Sequence, residues 1–195
     1  AGDGWVNASE ELQGIVLSGN VSSSTPGVLA AFQASDISVT IVRPGLSTNY
    51  ILPDSAISYD PSTGAWQATV SRQFTVLSTA YTFVHGHNDT VNVSIRGQSG
   101  AANGLTASTS DSIVVDLLSP TSPTLTLAGD TGSLANDNIT RNGLINLSGL
   151  EAGSSWQYSL DGGVNWQSGT GSSLALTQDG SITVQVRQSD AAGNE

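Results

Sequence analysis

The sequence predicts an all-β chain of two tandem β-sandwich domains, residues 1–118 and 119–195. Three observations predict it. Apolar and polar residues alternate in short runs along the whole chain, turn-forming clusters separate the runs, and the second half repeats motifs of the first. Period-two alternation rich in Val, Ile, Thr and aromatics marks a half-buried strand. No window of a dozen residues keeps a helical period.

The predicted strands follow in order. The first domain supplies Ile15–Asn20, Ile37–Arg43, Ala65–Val70, Val91–Arg96 and Ser112–Asp116. The second supplies Thr124–Ala128, Trp156–Leu160 and Ile182–Arg187. Turn chemistry falls between them, in DPSTG at 60–64, GHND at 86–89, DGG at 161–163 and QDG at 178–180. Gly supplies positive φ in such turns, and Asn and Asp bond their own backbone. Many short strands with such turns read as a sandwich or barrel.

One stretch breaks the pattern. Asp116–Thr124 reads DLLSPTSPT, with prolines at 120 and 123. Proline cannot donate to a strand ladder, so this reads as a stiff linker and sets the domain boundary. Around it the halves are related. Ala1-Gly2-Asp3 recurs as Ala128-Gly129-Asp130, and Ile15–Gly19 recurs at Leu144–Gly149 with one residue inserted. Val91–Asn103 aligns on Ile182–Asn194 without a gap. This is a tandem array of one sandwich type, with a longer first copy. Copy one reads as lacking a first strand and copy two as lacking a last one. The chain therefore reads as an internal piece of a longer array.

Composition narrows function. Sixteen acidic residues face five basic ones, all Arg, for a net charge of −11. Such a surface excludes nucleic acid as a partner, which requires a basic face, and disfavours contact with anionic membrane. It suits divalent cations. The chain has no Cys, so disulfides, thiolate catalysis and Cys-ligated metal centres are excluded. No G-x-S-x-G and no acid/base set is recognisable, so no enzyme is expected.

The second half resembles the bacterial immunoglobulin-like repeats of giant calcium-dependent surface adhesins, the repeats-in-toxin (RTX) adhesins among them. The residues that carry the resemblance are Asp130-Thr131-Gly132, Asp137–Thr140, Ser148–Glu151, Trp156–Gly163 with Trp166, and Val186–Asn194. Copy one resembles a sister repeat through Asp3–Glu10, Leu17-Ser18-Gly19, Ser58-Tyr59-Asp60, Thr63–Trp66 and Val115-Asp116. The resemblance implies immunoglobulin-like sandwiches and a calcium-stiffened extender on the bacterial cell surface, serving cell adhesion and biofilm formation. Its implied partners are neighbouring repeats of the same polypeptide. A glycan or protein receptor would be met elsewhere in the parent chain. Copy one departs from the pattern at Ser99, which stands in the place of Asp190.

Calcium requires six to eight hard oxygens. The acids fall in connections rather than along strands, which makes Asp3, Asn7, Glu10, Asp116, Asp130, Asp137 and Asp190 the candidate ligands. In an immunoglobulin-type sandwich the connection after the first strand and the end of the last strand share a pole. Asp3, Asn7, Glu10 and Asp116 are thus expected together at the lower pole of copy one. Asp190, with Glu151 beside it, is expected to face them from copy two. Asp130 and Asp137 are expected at the outer pole.

Other motifs have plainer readings. Ser159–Trp166 resembles the Asp-box of sialidases, a hairpin device without a catalytic role. His85-Gly86-His87 has no defined third ligand beyond Asp89 and reads as a polar loop. Trp66 and Trp156 alternate with apolar neighbours and read as core rather than as a sugar platform. Six N-x-[ST] sequons arise by composition in a chain with 49 Ser and Thr. The rival function is a carbohydrate- or peptide-binding module in the longer first domain, centred on its insertion at Val42–Asp60.

Overall fold

The computed structural model describes residues 3–46, 49–71, 74–76, 79–134 and 136–195. The chain is mostly β-sheet and divides into two compact units, Ala1–Leu118 and Ser119–Glu195.

In the first unit, β1 (Trp5–Val6) leads to a short helix α1 (Ala8–Gln13), then β2 (Ile15–Asn20) and a one-turn helix α2 (Val28–Ala31). There follow β3 (Ile37–Val42), β4 (Tyr50–Ile51), β5 (Ile57–Tyr59), β6 (Ala65–Val70), β7 (Phe74–Val76), β8 (Thr79–Tyr81), β9 (Asn88–Arg96) and β10 (Thr106–Val115). One sheet runs β1-β10-β9-β3-β4 and another β2-β6-β5; β7 and β8 pair as a separate ribbon. β1 runs parallel to β10, and the other ladders are antiparallel. Inward residues of both sheets meet in one core. Val39, Ile41, Val91 and Ile113 come from the first sheet, and Ile15, Trp66, Ala68 and Val70 from the second. Alternation along β6 makes the point: Trp66, Ala68 and Val70 are buried while Ala65, Gln67 and Thr69 are exposed.

Glycine makes room at two places in this sandwich. A Cβ on Gly19 would lie 2.7 Å from the Trp66 indole, so the bare backbone lets the ring lie flat on β2. Gly64 closes the turn between β5 and β6 at φ 79°, and a Cβ there would stand 2.0 Å from the Val21 carbonyl.

The second unit contains β11 (Thr124–Leu127), β12 (Leu144–Ser148), β13 (Ser155–Ser159), β14 (Gln167–Ser168), β15 (Ser173–Ala175) and β16 (Gln185–Ser189). Its sheets run β11-β12-β15 and β14-β13-β16. The core is small: Ile145, Leu147, Trp156 and Leu174 are buried, with Leu125, Leu127, Tyr158 and Val186 packed against them. The device of the first unit returns, since a Cβ on Gly169 would lie 2.3 Å from Trp156. The Trp156 indole N–H donates to the Gly171 carbonyl at 2.8 Å, which satisfies its polar edge. Buried Gln188 donates to the carbonyls of Thr121 and Gly149 and accepts from Glu151 N, tying two connections to β16.

The structure corrects several sequence expectations. GHND is not one turn: Asn88 and Asp89 already belong to β9, and Asp89 is wholly buried. The last strand of the first unit begins at Thr106, six residues before the predicted start, because its backbone pairs with β9 where the side chains do not alternate. The last strand of the second unit is Gln185–Ser189 rather than Ile182–Arg187. The sequence also gave no warning of β1 or of α1. Six residues are too few to display a helical period.

Candidate functional site

Asp116 follows the last residue of β10. Its backbone N–H donates to the Val6 carbonyl at 3.0 Å, which brings Asn7 alongside. Its carboxylate Oδ1 lies 3.1 Å from His85 Nδ1 and accepts from Leu118 N at 3.2 Å. Asn7 and Glu10 form a capping box on α1. Asn7 Oδ1 accepts from Glu10 N at 2.9 Å, and Glu10 Oε2 accepts from Asn7 N at 3.2 Å. Each satisfies an amide that the helix start leaves without a backbone partner. The Asn-x-x-Glu spacing that suggested ligands is thus also a helix-start signal.

Asp3 stands apart from this group. β1 runs parallel to β10 with Trp5 opposite Val114 and Val6 opposite Val115. Asp3 is therefore level with Ser112, roughly 13 Å along the strand from Asp116 at the usual rise per residue. A parallel strand puts its start at the far end from Asp116, so the four expected residues do not share one pole. Asp3 Oδ1 instead accepts from Trp5 N at 3.0 Å.

In the second unit Asp190 closes a five-residue turn. Its two carboxylate oxygens accept from Asn194 N at 2.9 Å and Asn194 Nδ2 at 2.8 Å. Glu151 accepts from Thr121 N at 3.3 Å.

Asp130 and Asp137 come together in the connection between β11 and β12. Asn138 N donates to Asp130 Oδ2 at 3.0 Å, and Ile139 N to Asp137 Oδ1 at 2.9 Å. Asn138 sits at φ 60°, a left-handed turn that Asn tolerates better than most residues. Thr140 Oγ1 donates to the Gly129 carbonyl at 2.6 Å and lies 3.3 Å from Thr131 Oγ1. Asp130 Oδ1 is buried and has no hydrogen-bond partner among the described residues. A buried carboxylate oxygen without a donor is costly, and such atoms in native folds call for an ion or a bound water. Among the described residues no three His, Asp or Glu side chains gather into a metal-binding group.

The remaining motifs have structural roles. Asp161 organises the turn after β13: it accepts from Asn165 N and Nδ2 and from Ser159 Oγ. The backbone N–H of Asn165, chiefly, lowers its pKa to about 2. Trp66 and Trp156 are core residues, and Arg187 covers the Trp166 ring at 4.4 Å. The insertion of the first unit contributes Tyr50, Leu52 and Ile57 to the core.

Sequence reasoning missed one constellation. Arg43 and Asp89, 46 residues apart, form a two-pronged ion pair: Nε donates to Oδ1 at 3.0 Å and Nη2 to Oδ2 at 2.8 Å. Tyr81 Oη donates to Asp89 Oδ2 at 2.7 Å, Arg43 Nη2 also donates to the Thr82 carbonyl, and the guanidinium lies 4.9 Å from the Tyr81 ring centroid. All three side chains are buried. The bond to Asp89, chiefly, raises the Arg43 pKa, while burial raises that of Tyr81. The paired charges share Asp89 with the Tyr81 hydroxyl in the interior, which marks a structural knot.

No protein-family profile matches the chain, and no curated protein matches it. Among solved structures it is similar to one of a 1.5-MDa bacterial ice-binding adhesin described for host cell surface retention. Identity is 19% and the TM-score 0.47, over 99% of this chain and 57% of that one. The chain thus spans little more than half the length of that relative.

Proposed function

We propose that the chain is a pair of immunoglobulin-like modules from the extender region of a bacterial surface adhesin, stiffened by calcium. Strand order supports the module type. The order β1-β10-β9-β3-β4 against β2-β6-β5 is one that this reading expects, and β11-β12-β15 against β14-β13-β16 fits a shorter form of the same module. The motifs shared by the two halves support repetition of one module.

The observation that carries the calcium reading is the orphaned, buried Asp130 Oδ1 beside Asp137. The connection offers carboxylate, hydroxyl and carbonyl oxygens and contains no His or Cys, and that set suits a hard cation. Asp130 and Asp137 would hold the ion, with Thr131, Thr140 and the Gly129 carbonyl contributing neutral oxygens or ordering the loop. Bound calcium would supply positive charge that cancels the paired carboxylates and ties the start of the loop to its end. Asp116, with Asn7 and Glu10 beside it, is the second proposed position. The Asp190 turn is the third. The surface location and the tether role follow from this reading.

Thermal melting tests it. At free calcium about a hundredfold above its dissociation constant, the stability gain is about 2.7 kcal/mol. We expect the second unit to melt higher in calcium than in chelator, and Asp130→Asn to remove most of the difference. Identical melting of the parent in both conditions overturns the calcium reading.

A further inference from the structure

We propose that the Asn142-Gly143 step is a self-modification site. The backbone nitrogen of Gly143 attacks the side-chain amide of Asn142 and converts it to aspartate or isoaspartate. The fold promotes the reaction here and blocks it at the chain's other Asn-Gly step.

Asn-Gly occurs twice, at 103–104 and at 142–143, and Leu follows both times. Glycine hinders such an attack least, because no Cβ shields its nitrogen. The two Asn-Gly-Leu steps are alike as local sequence, and both asparagines are exposed. Their surroundings differ. Gly104 N donates to the Gly97 carbonyl at 3.0 Å, so its nitrogen is held. Gly143 N has no hydrogen-bond partner among the described residues. It can give up its proton and attack without breaking a bond first.

The electrophile is prepared as well. Asn142 Oδ1 accepts from Leu144 N at 3.3 Å, and this local turn folds the side chain back across Gly143. As the Gly143 nitrogen bonds to Asn142 Cγ, negative charge gathers on Oδ1, where Leu144 N–H already donates. A donor aimed at a developing oxyanion lowers the barrier. Hydroxide takes the Gly143 proton, the new C–N bond closes a succinimide ring, and the Cγ–Nδ2 bond breaks as ammonia leaves with a proton from water. Water then opens the ring at either carbonyl. One opening leaves aspartate. The other leaves isoaspartate, whose main chain runs through the former side chain.

Packing keeps the glycine in place. A Cβ on Gly143 would run into the Leu176 carbonyl oxygen. Leu176 N donates to the Gly143 carbonyl at 2.8 Å, just beyond the β12–β15 ladder that starts with Leu144 opposite Ala175. Isoaspartate adds a methylene to the backbone at this point and displaces the acceptor of Leu144 N. The ladder therefore loosens at its Leu144 end.

Peptide mapping of the full chain, aged in mildly alkaline buffer, tests this without calcium and apart from the calcium reading. We expect the peptide containing Asn142 to gain the mass of amide-to-acid exchange and to accept methyl groups from an isoaspartate-specific methyltransferase. It should convert about tenfold faster than the peptide containing Asn103, since the Gly104 nitrogen must first lose its hydrogen bond. Unfolded in urea, the two should convert at equal rates. In the isoaspartate fraction, the amides of Leu144 and Leu176 should exchange faster than in fresh protein. Equal conversion of Asn103 and Asn142 in the folded chain overturns the proposal, as does an Asn142 that converts only in urea. Unchanged exchange at Leu144 and Leu176 overturns the loosening of the ladder.

Discussion

Asp89→Ala is expected to destabilise the first unit by about 3–5 kcal/mol, because it leaves the Arg43 guanidinium buried without its counter-charge. Arg43 and Asp89 are 7% and 0% exposed, so water cannot take over as partner. The Tyr81 hydroxyl loses its acceptor in the same step, and an unsatisfied buried hydroxyl adds to the loss. The pair holds β9 to the connection after β3, so the loss should appear in the cooperative unfolding of this unit. Replacing both partners together, as Arg43→Met with Asp89→Leu, should cost far less, since no buried charge remains. Urea unfolding of the three proteins reads both effects. If Asp89→Ala stays within about 1 kcal/mol of the parent, the ion pair is not the knot described.

Trp156→Ala is expected to remove much of the stability of the second unit, and to expose its amides to exchange, while the first keeps its structure. Truncating a buried Trp costs about 3–5 kcal/mol. A unit of this size is stable by roughly 4–12 kcal/mol on a per-residue scale. Trp156 is one of four buried residues in the core, and β13 carries it between β14 and β16. Its loss leaves a hollow facing Gly169, whose missing side chain cannot fill it. Amide exchange resolved along the chain separates the units. Full protection of β12 and β13 in the variant would contradict this account.

Much of the fold was legible because burial writes itself into alternation. β2 and β6 carry inward residues at every second position, and their predicted bounds match the observed ones. The first half of β10 was not legible for the same reason. Its inward face, Ala107 to Asp111, is uncovered, so the sequence there needs no apolar residues. β1 and α1 escaped because two and six residues are too short for any period to show.

The candidate site was legible in composition and obscure in geometry. Acids in connections pointed to Asp130 and Asp137, which the backbone does bring together. Asn7 and Glu10 carried two meanings at once, ligand spacing and capping box, and sequence alone does not separate them. Asp3 was placed with Asp116 because pole assignments take no account of whether a short first strand runs parallel or antiparallel to the last. Arg43 and Asp89 left no local trace, since an ion pair across 46 residues has no spacing signature.

The claim of a calcium-stiffened extender is mechanical, and pulling a single chain from its ends tests it most directly. The account predicts that the second unit unfolds at a higher force in calcium than in chelator, and that Asp130→Asn with Asp137→Asn removes most of the difference. A parent chain whose units unfold at the same forces in calcium and in chelator would contradict it.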